Sequence, residues 1–318
     1  MERVKCLLFI TAGLVGLALN IQIIGSSQPG VVETDRDRDG LRGAVKSVAT
    51  INVSAVQRGA SEPGRGSGMA RSLIEYNPGG QKTLEYETDS NGAMTFRKVL
   101  NYDVQGNLIL SIVYTKQSAY SHFFYRRRSG HIATEEIFDS NGTAIGNIQY
   151  TYDRLGRLTL EEGHNSRGQR TTTKTISYFK DGTKREVLCG STIADRLVTF
   201  YDPFGSPAES TSYDGHSQLV VRTTFLYDPA NRKLIDRAVW GAQGELRGRI
   251  TYRYDDRGNL FEQQTFSSDN ICRERLAYSY EVDLTGNWIK RTTDKSTGCA
   301  EKGKVASYET VRREIAYY

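Results

Sequence analysis

Apolar and polar residues alternate along almost the whole chain, and turn signals interrupt the alternation at short, even intervals. The stretch Leu41 to Val53 alternates in this way and reads as a first strand, as do Thr171 to Tyr178 and Leu219 to Tyr227, which are rich in β-branched and aromatic residues. No stretch sustains helical periodicity between caps. The glycines at Gly80, Gly92, Gly106, Gly130, Gly142, Gly156, Gly168 and Gly182 set the punctuation. Apart from one skip between Gly106 and Gly130, their gaps alternate between 12 and 14, so two strands and two turns make a unit of 26 residues.

A two-strand period is what an up-and-down meander requires, because consecutive turns lie at opposite ends of the sheet. The expected fold is therefore all-β: an elongated antiparallel β-hairpin repeat in an open or curled sheet, with about 26 residues per two strands. Pairs such as Asn91-Gly92, Asn141-Gly142 and Asp181-Gly182 read as tight hairpin turns that tolerate positive φ. The punctuation becomes crowded between Cys189 and Asp214, then resumes at Gly244, Gly258, Asn270, Gly286 and Gly298. The segment Ala306 to Tyr318 reads as a last, edge strand, protected by the charges of Arg312, Arg313 and Glu314.

One unit recurs inside this frame. Tyr150 to Leu158 is Tyr-Thr-Tyr-Asp-Arg-Leu-Gly-Arg-Leu, and Tyr252 to Leu260 is Tyr-Arg-Tyr-Asp-Asp-Arg-Gly-Asn-Leu. Looser copies run from Tyr102 to Leu108 and from Tyr278 to Trp288. These copies resemble the YD repeat of the RHS family, over a span from about Leu73 to Trp288. In that family, long hairpin arrays spiral into a hollow shell around a carboxy-terminal toxin, or build large adhesion proteins. The resemblance implies an exported hairpin scaffold. At this length no closed shell of that kind is expected, and neither an enclosed toxin nor its self-cleavage site carries over.

The amino terminus changes the picture of where the chain works. Arg3 and Lys5 precede an apolar run from Cys6 to Leu19, followed by small and polar residues to Pro29, the layout of a signal peptide. A retained anchor is the alternative, since Cys6 to Gly25 is near the roughly 20 residues a span needs, although Asn20 and Gln22 weaken it. The domain organisation expected is 1–27 signal peptide, 28–70 charged and Gly-rich leader with a first strand, and 71–318 repeat domain. Within the leader, Val31 to Gly40 reads as a mobile segment and Gln57 to Met69 as a flexible loop. Export places the protein in the periplasm, the cell envelope or outside the cell, where Cys272 and Cys299 are candidate disulfide partners and Cys189 is left over.

Composition and charge narrow the function. The hydrophobic fraction is 38%, low for a packed core, but 19 tyrosines suit thin β-structure, since the ring packs while the hydroxyl stays wet. The net charge of +5 is small beside 42 Lys and Arg and 37 Asp and Glu with interspersed signs, so no nucleic-acid partner is expected. The run Arg126 to Arg128 reads as a solvated strand end. Membrane contact is expected only through the signal segment.

No catalytic, metal or cofactor site is expected. His131 and Glu135 share a strand face about 13 Å apart, too far for one ion. Asp103, Asp153, Asp202, Asp228 and Asp255 offer a column of carboxylates for Ca²⁺, but a turn-entering Asp that accepts backbone N–H groups explains them better. The tyrosines remain. Tyr150, Tyr152, Tyr252, Tyr254, Tyr278 and Tyr280 form pairs on one face, either as a stabilising aromatic ladder or as a platform for a ligand. The function expected is an exported, non-enzymatic β-repeat protein that binds a cell-envelope glycan or protein through its open face or an unpaired edge. Two other classes stay open. One is an envelope carbohydrate-active enzyme with paired carboxylates in a cleft, and the other is an accessory or orphan fragment of an RHS-type toxin-delivery system.

Overall fold

The computed structural model describes residues 34–57, 70–115, 118–128, 130–190, 196–299 and 305–318. The export signal and the loop 58–69 lie outside the described residues. A single helical turn, α1 (Asp35–Arg38), precedes twenty strands. The first ten are β1 (Val45–Gln57), β2 (Arg71–Tyr76), β3 (Lys82–Thr88), β4 (Met94–Tyr102), β5 (Leu108–Thr115), β6 (Ser118–Arg128), β7 (His131–Phe138), β8 (Ala144–Tyr152), β9 (Leu158–Asn165) and β10 (Arg170–Tyr178). They are followed by β11 (Lys184–Gly190), β12 (Arg196–Tyr201), β13 (Pro207–Tyr213), β14 (Leu219–Tyr227), β15 (Leu234–Gly241), β16 (Leu246–Tyr254), β17 (Leu260–Phe266), β18 (Cys272–Val282), β19 (Trp288–Thr297) and β20 (Val305–Tyr317).

Each strand pairs antiparallel with the next, as the period requires. The open or curled sheet expected from the sequence is corrected in one respect: the meander closes. β1 pairs with β2 on one side and with β20 on the other, in a register running from Val45 opposite Tyr317 to Gln57 opposite Ser307. β20 is therefore an interior stave and not an edge, and β1 belongs to the barrel and not to a leader. Closure removes the unpaired edges that an extended peptide would need. At twenty strands the cylinder is too wide for side chains to fill, and a lumen results.

The turns use a different device from the tight two-residue hairpins expected at Asn-Gly. At Asp153 the backbone N–H donates to Arg157 O (2.9 Å), while Gly156 N–H returns to Asp153 O (3.0 Å). Asp153 Oδ1 then accepts from the N–H groups of Leu155 and Arg157, both at 2.9 Å. This is a type I turn followed by a bulge residue in the left-handed region, which Gly156 occupies at φ 75°. Asp89, Asp103, Asp139, Asp202, Asp214 and Asp283 repeat the arrangement, as Asn165 does. Ser217, Arg232 and Asn270 take the bulge position without glycine.

The bulge also explains the spacing of the repeated unit. The register slips by one residue beside Tyr102, Tyr152, Tyr227 and Tyr254, so each pairs directly with the first residue after its turn: Leu108, Leu158, Leu234 and Leu260. In Tyr-Asp-x-x-Gly-x-Leu the Tyr and the Leu thus face the same side. In β4, β8 and β16 that side is the less exposed one, although Ala238, Glu262 and Thr310 of the opposite face are buried. Lys98, Leu100, Tyr150, Tyr152, Tyr252 and Tyr254 are half-buried, while their neighbours Arg97, Asn101, Gln149, Thr151 and Arg253 are exposed. We take the half-buried face as the inner wall.

The residues before β1 are folded, where the sequence suggests a mobile segment. Thr34 caps α1 in a capping box with Asp37. Asp35 Oδ2 accepts from Lys82 N–H (2.9 Å), and Asp39 Oδ2 accepts from the Tyr76 hydroxyl (2.5 Å) and pairs with Lys82 (3.1 Å). Further on, Arg42 N–H donates to Asn287 Oδ1 (2.8 Å) and Asn287 Nδ2 donates back to Arg42 O (2.8 Å). The segment therefore straps the β18–β19 turn to the β2–β3 turn across the seam between β20 and β1. Beneath it, Leu41, Val45, Val48 and Tyr76 form a packed apolar cluster with Ile74 and Ile315 at its border. Any side chain at Gly80 would meet Thr34, its Cβ lying 2.6 Å from the hydroxyl oxygen. At the opposite end, Cys272 and Cys299 form a disulfide, leaving Cys189 free.

Candidate functional site: the inner wall

Inner-wall residues follow from register, because directly paired residues share a face. Around the strap end, hydroxyls of the second tyrosine in each unit reach back to the preceding hairpin. Tyr102 donates to Lys82 O (2.8 Å), Tyr152 to Ile132 O (2.8 Å), Tyr178 to Leu158 O (3.0 Å), Tyr254 to Leu234 O (3.0 Å) and Tyr280 to Leu260 O (2.8 Å). Every acceptor sits 20 residues upstream, so these five bonds form a belt that stitches hairpin to hairpin, while Tyr201 bonds Glu186 in place of a carbonyl. Burial pushes the Tyr102 and Tyr254 hydroxyls up to about 12, so they are donors throughout the physiological range. His131, which the sequence places too far from Glu135 to share an ion, stacks on Tyr152 with ring centroids 4.6 Å apart.

The six tyrosines singled out from the sequence all lie on this wall, but they divide. Tyr152, Tyr254 and Tyr280 belong to the belt. Tyr150 donates to Glu135 Oε2 (2.8 Å), and burial raises the Tyr252 hydroxyl while the neighbouring Arg237 charge opposes the rise. Tyr278 lies under the Arg291 guanidinium, 5.6 Å from its ring centroid. Asp103, Asp153, Asp202 and Asp228 each hold at least two turn N–H groups on one carboxylate oxygen. Asp255 accepts from the Asn259 N–H (2.7 Å). No group of His, Cys, Asp and Glu fit for a metal occurs among the described residues.

Two arcs of the wall differ in charge. From β3 to β11 it carries Glu85, Lys98, Glu135, Glu161, Lys174, Lys184 and Glu186, which register places on one continuous face. Lys174 pairs with Glu161 (3.2 Å) and lies 3.8 Å from Glu186, which takes Lys184 at 3.1 Å and the Tyr201 hydroxyl at 2.7 Å. Burial acts to raise Glu186, but the Tyr201 hydroxyl and the two lysines outweigh it and bring the carboxyl below its ordinary value. Burial raises Glu135, and the Glu161 charge adds to the rise, while Tyr150 and Lys98 oppose it.

From β15 to β20 the wall gathers arginines and rings beside the Lys295–Glu274 pair and Glu309. Arg237, Arg291 and Arg313 share it with Tyr252, Tyr278, Tyr280 and Trp288. The Arg313 guanidinium carbon lies 3.6 Å from the Trp288 ring centroid and that of Arg291 5.7 Å, while Tyr280 meets Trp288 edge-on at 6.1 Å. The Nε atoms of Arg237, Arg291 and Arg313 are buried and without a hydrogen-bond partner. Burial, reinforced by Arg291 and opposed by Tyr76 and Asp39, pulls Arg313 down to about 10. On the outer wall, by contrast, Arg126 pairs with Glu136 (2.8 Å), Arg249 with Asp236 (2.7 Å) and Arg275 with Glu262 (2.6 Å).

Sequence reasoning missed the arginines. Arg313 reads as an edge charge between Arg312 and Glu314, both of which do face outward. The usable signal was the apolar pair Val311 and Ile315, whose parity Arg313 shares. Arg126, of the basic run, is an exposed ion pair, and the Arg127 guanidinium caps Gly130 O (3.0 Å).

No protein-family profile matches the chain, and no curated protein matches it. Among solved structures it is similar to a porin-like protein from Bacteroides uniformis ATCC 8492, at 11% identity and a TM-score of 0.35, covering 86% of this chain and 98% of that one. A porin-like protein from Bacteroides vulgatus ATCC 8482 follows at 9% identity and a TM-score of 0.32, with 87% and 99% covered. The Tc holotoxin pore of Photorhabdus luminescens matches at 12% identity and a TM-score of 0.18, over 76% of this chain and 19% of that one. Likenesses this distant carry nothing about function, and the barrel rests on its own strand register.

Proposed function

We propose that the chain is an exported, non-enzymatic barrel of the cell envelope or extracellular space that receives a ligand on its inner wall. What carries this reading is the wall itself: half-buried tyrosines and charged side chains lining a lumen that closure leaves unfilled. The closed sheet leaves no edge for strand addition among the described strands, so the lumen replaces the edge as the place of capture.

A membrane-spanning role fits poorly. A lipid-facing barrel needs an apolar outer band about 25 Å tall. Here both faces carry charges in mid-strand: Arg97, Glu136, Glu162, Arg249, Glu262 and Arg275 on one, Lys98, Glu135, Glu161, Lys174, Arg237 and Arg291 on the other. Whichever face is turned outward, it is built for water.

The test is binding of the purified chain to a glycan array and to a cell-envelope fraction, repeated with Tyr252→Ala on the inner wall and with Arg253→Glu on the outer wall. Expected is retained affinity that Tyr252→Ala abolishes in a folded protein and Arg253→Glu leaves alone. Uniform failure to bind, or loss only with the outer variant, would overturn the reading.

A further inference from the structure

Among the described half-buried arginines, Arg222, Arg232, Arg249 and Arg275 have an acidic partner, whereas Arg291 and Arg313 do not. Arg291 and Arg313 stand on adjacent strands of one face, with Arg291 opposite Val311, so that Arg313 is the next inward residue along β20. Neither forms an ion pair or a hydrogen bond among the described residues, and the Nε of each is buried. Two like charges beside one another in a partly desolvated place repel, and although Asp39 acts on Arg313 from a distance and Glu309 shares the wall, neither carboxylate pairs with either guanidinium.

The aromatic surround does not remove the problem. Trp288 lies with its ring centroid 3.6 Å from the Arg313 guanidinium carbon and 5.7 Å from that of Arg291, which stabilises a cation modestly. It leaves their N–H forks without acceptors. A guanidinium fork matches the two oxygens of a carboxylate or phosphate in length and angle. An oxyanion between the two forks would satisfy the orphaned donors and cancel the repulsion together, while Tyr278 and Tyr280 offer ring faces to whatever carries it.

From this arrangement we infer that Arg291, Arg313 and Trp288 form an inner-wall site for the oxyanion group, carboxylate or phosphate, of a ligand. The inference rests on the reading that the inner wall receives a ligand, and it names the chemistry by which that ligand is held.

The chain contains two tryptophans, so Trp240→Phe leaves Trp288 as the sole indole reporter inside the site. Its fluorescence is titrated at constant ionic strength with inorganic phosphate, with oligogalacturonate, and with a neutral cello-oligosaccharide. Expected is a saturable change with phosphate or oligogalacturonate and none with the neutral sugar; which anion binds more tightly tells the two sources apart. Arg313→Gln and Arg291→Gln should each weaken binding roughly tenfold or more, and Arg313→Lys less, since it keeps charge but loses the fork. Absence of any saturable change, or parent-like affinity in the Gln variants, overturns the site. If far-UV circular dichroism shows Arg313→Gln unfolded, parent-like affinity in Arg291→Gln is sufficient to overturn it. An array ligand lost with Tyr252→Ala but indifferent to both arginines would sink this site and leave the inner-wall reading standing. A Trp288 signal without any array or envelope ligand would leave the oxyanion site standing and remove only the glycan or envelope fraction as its source.

Discussion

The two arcs of the inner wall solve the same problem in opposite ways. Between β3 and β11, charges are interleaved in sign and in contact, so that Glu186 alone gathers a tyrosine hydroxyl and two lysines. Between β15 and β20, Arg291 and Arg313 stand against rings and neither forms an ion pair among the described residues, although Glu274 and Glu309 share the wall. The first arc is complete as folded. The second has unsatisfied donors, and a fold that keeps such groups on a wide lumen keeps them at some cost in stability. The difference teaches that ion pairs on this wall are structural where they are closed and point to a ligand where they are open.

Opposite substitution effects are the sharpest way to break that comparison. Glu186→Leu strips the acceptor from Tyr201, Lys174 and Lys184, whose lysine side chains are 25 to 29% exposed, so the cost is well below that of a fully buried pair. About 2 kcal/mol of stability should be lost. Arg313→Leu removes an unpaired cation and keeps apolar contact with Trp288, so stability should stay within about 1 kcal/mol of the parent, in the stabilising direction. Urea unfolding midpoints at unchanged m report both. An Arg313→Leu loss as large as that of Glu186→Leu would make the arcs equivalent and Arg313 a structural residue.

How far the sequence carried this picture follows from which interactions are local. The hairpin period and the turns were legible because each depends on a few adjacent residues: an Asp that accepts the N–H groups two and four ahead, and a Gly that takes φ near 75°. Ser217 and Arg232 escaped because they hold the same backbone without the glycine that advertises it. Closure was illegible because it depends on β1 meeting β20 across nearly the whole chain, and neither strand differs in pattern from its neighbours. The inner and outer sets were half legible. Parity within a strand is plain, but the bulge beside each turn resets it, so that Tyr254 and Leu260 meet where simple counting does not place them. Arg313, by contrast, shared a legible parity with Val311 and Ile315 and was missed because the strand read as an edge.

The tyrosine belt crosses both arcs and offers a finer test of whether they are built alike. Tyr254 hydrogen-bonds Leu234 O at 3.0 Å, while Tyr227 occupies the same place in its own hairpin without a hydroxyl partner among the described residues. The carbonyl 20 residues before Tyr227 belongs to Pro207 on β13, one of the shorter strands. Tyr254→Phe should therefore cost about 1 kcal/mol, and Tyr227→Phe no more than about 0.3. Chemical denaturation of the two variants side by side decides it. Equal costs would mean that the belt stabilises through its rings alone.

The smallest effect separates two carboxylates inside the closed arc. Glu135 is raised above its ordinary value of 4.5, chiefly by burial, whereas Glu186 ends below the same value once Tyr201 and the lysines have outweighed burial. A raised acid contributes stability that is full below pH 4.5 and disappears as pH climbs through its folded value. A depressed acid contributes above pH 4.5 and loses its contribution as pH falls through its folded value. Replacing each by Gln removes its term. Relative to the parent, Glu135→Gln should become more favourable between pH 4 and pH 7, and Glu186→Gln less favourable, each by under about 1 kcal/mol because both sites are partly solvated. Thermal midpoints of parent and variants at pH 4, 5.5 and 7 give the two slopes. Slopes of the same sign would mean that burial and pairing do not divide these two groups, and that the closed arc responds to pH as one coupled network.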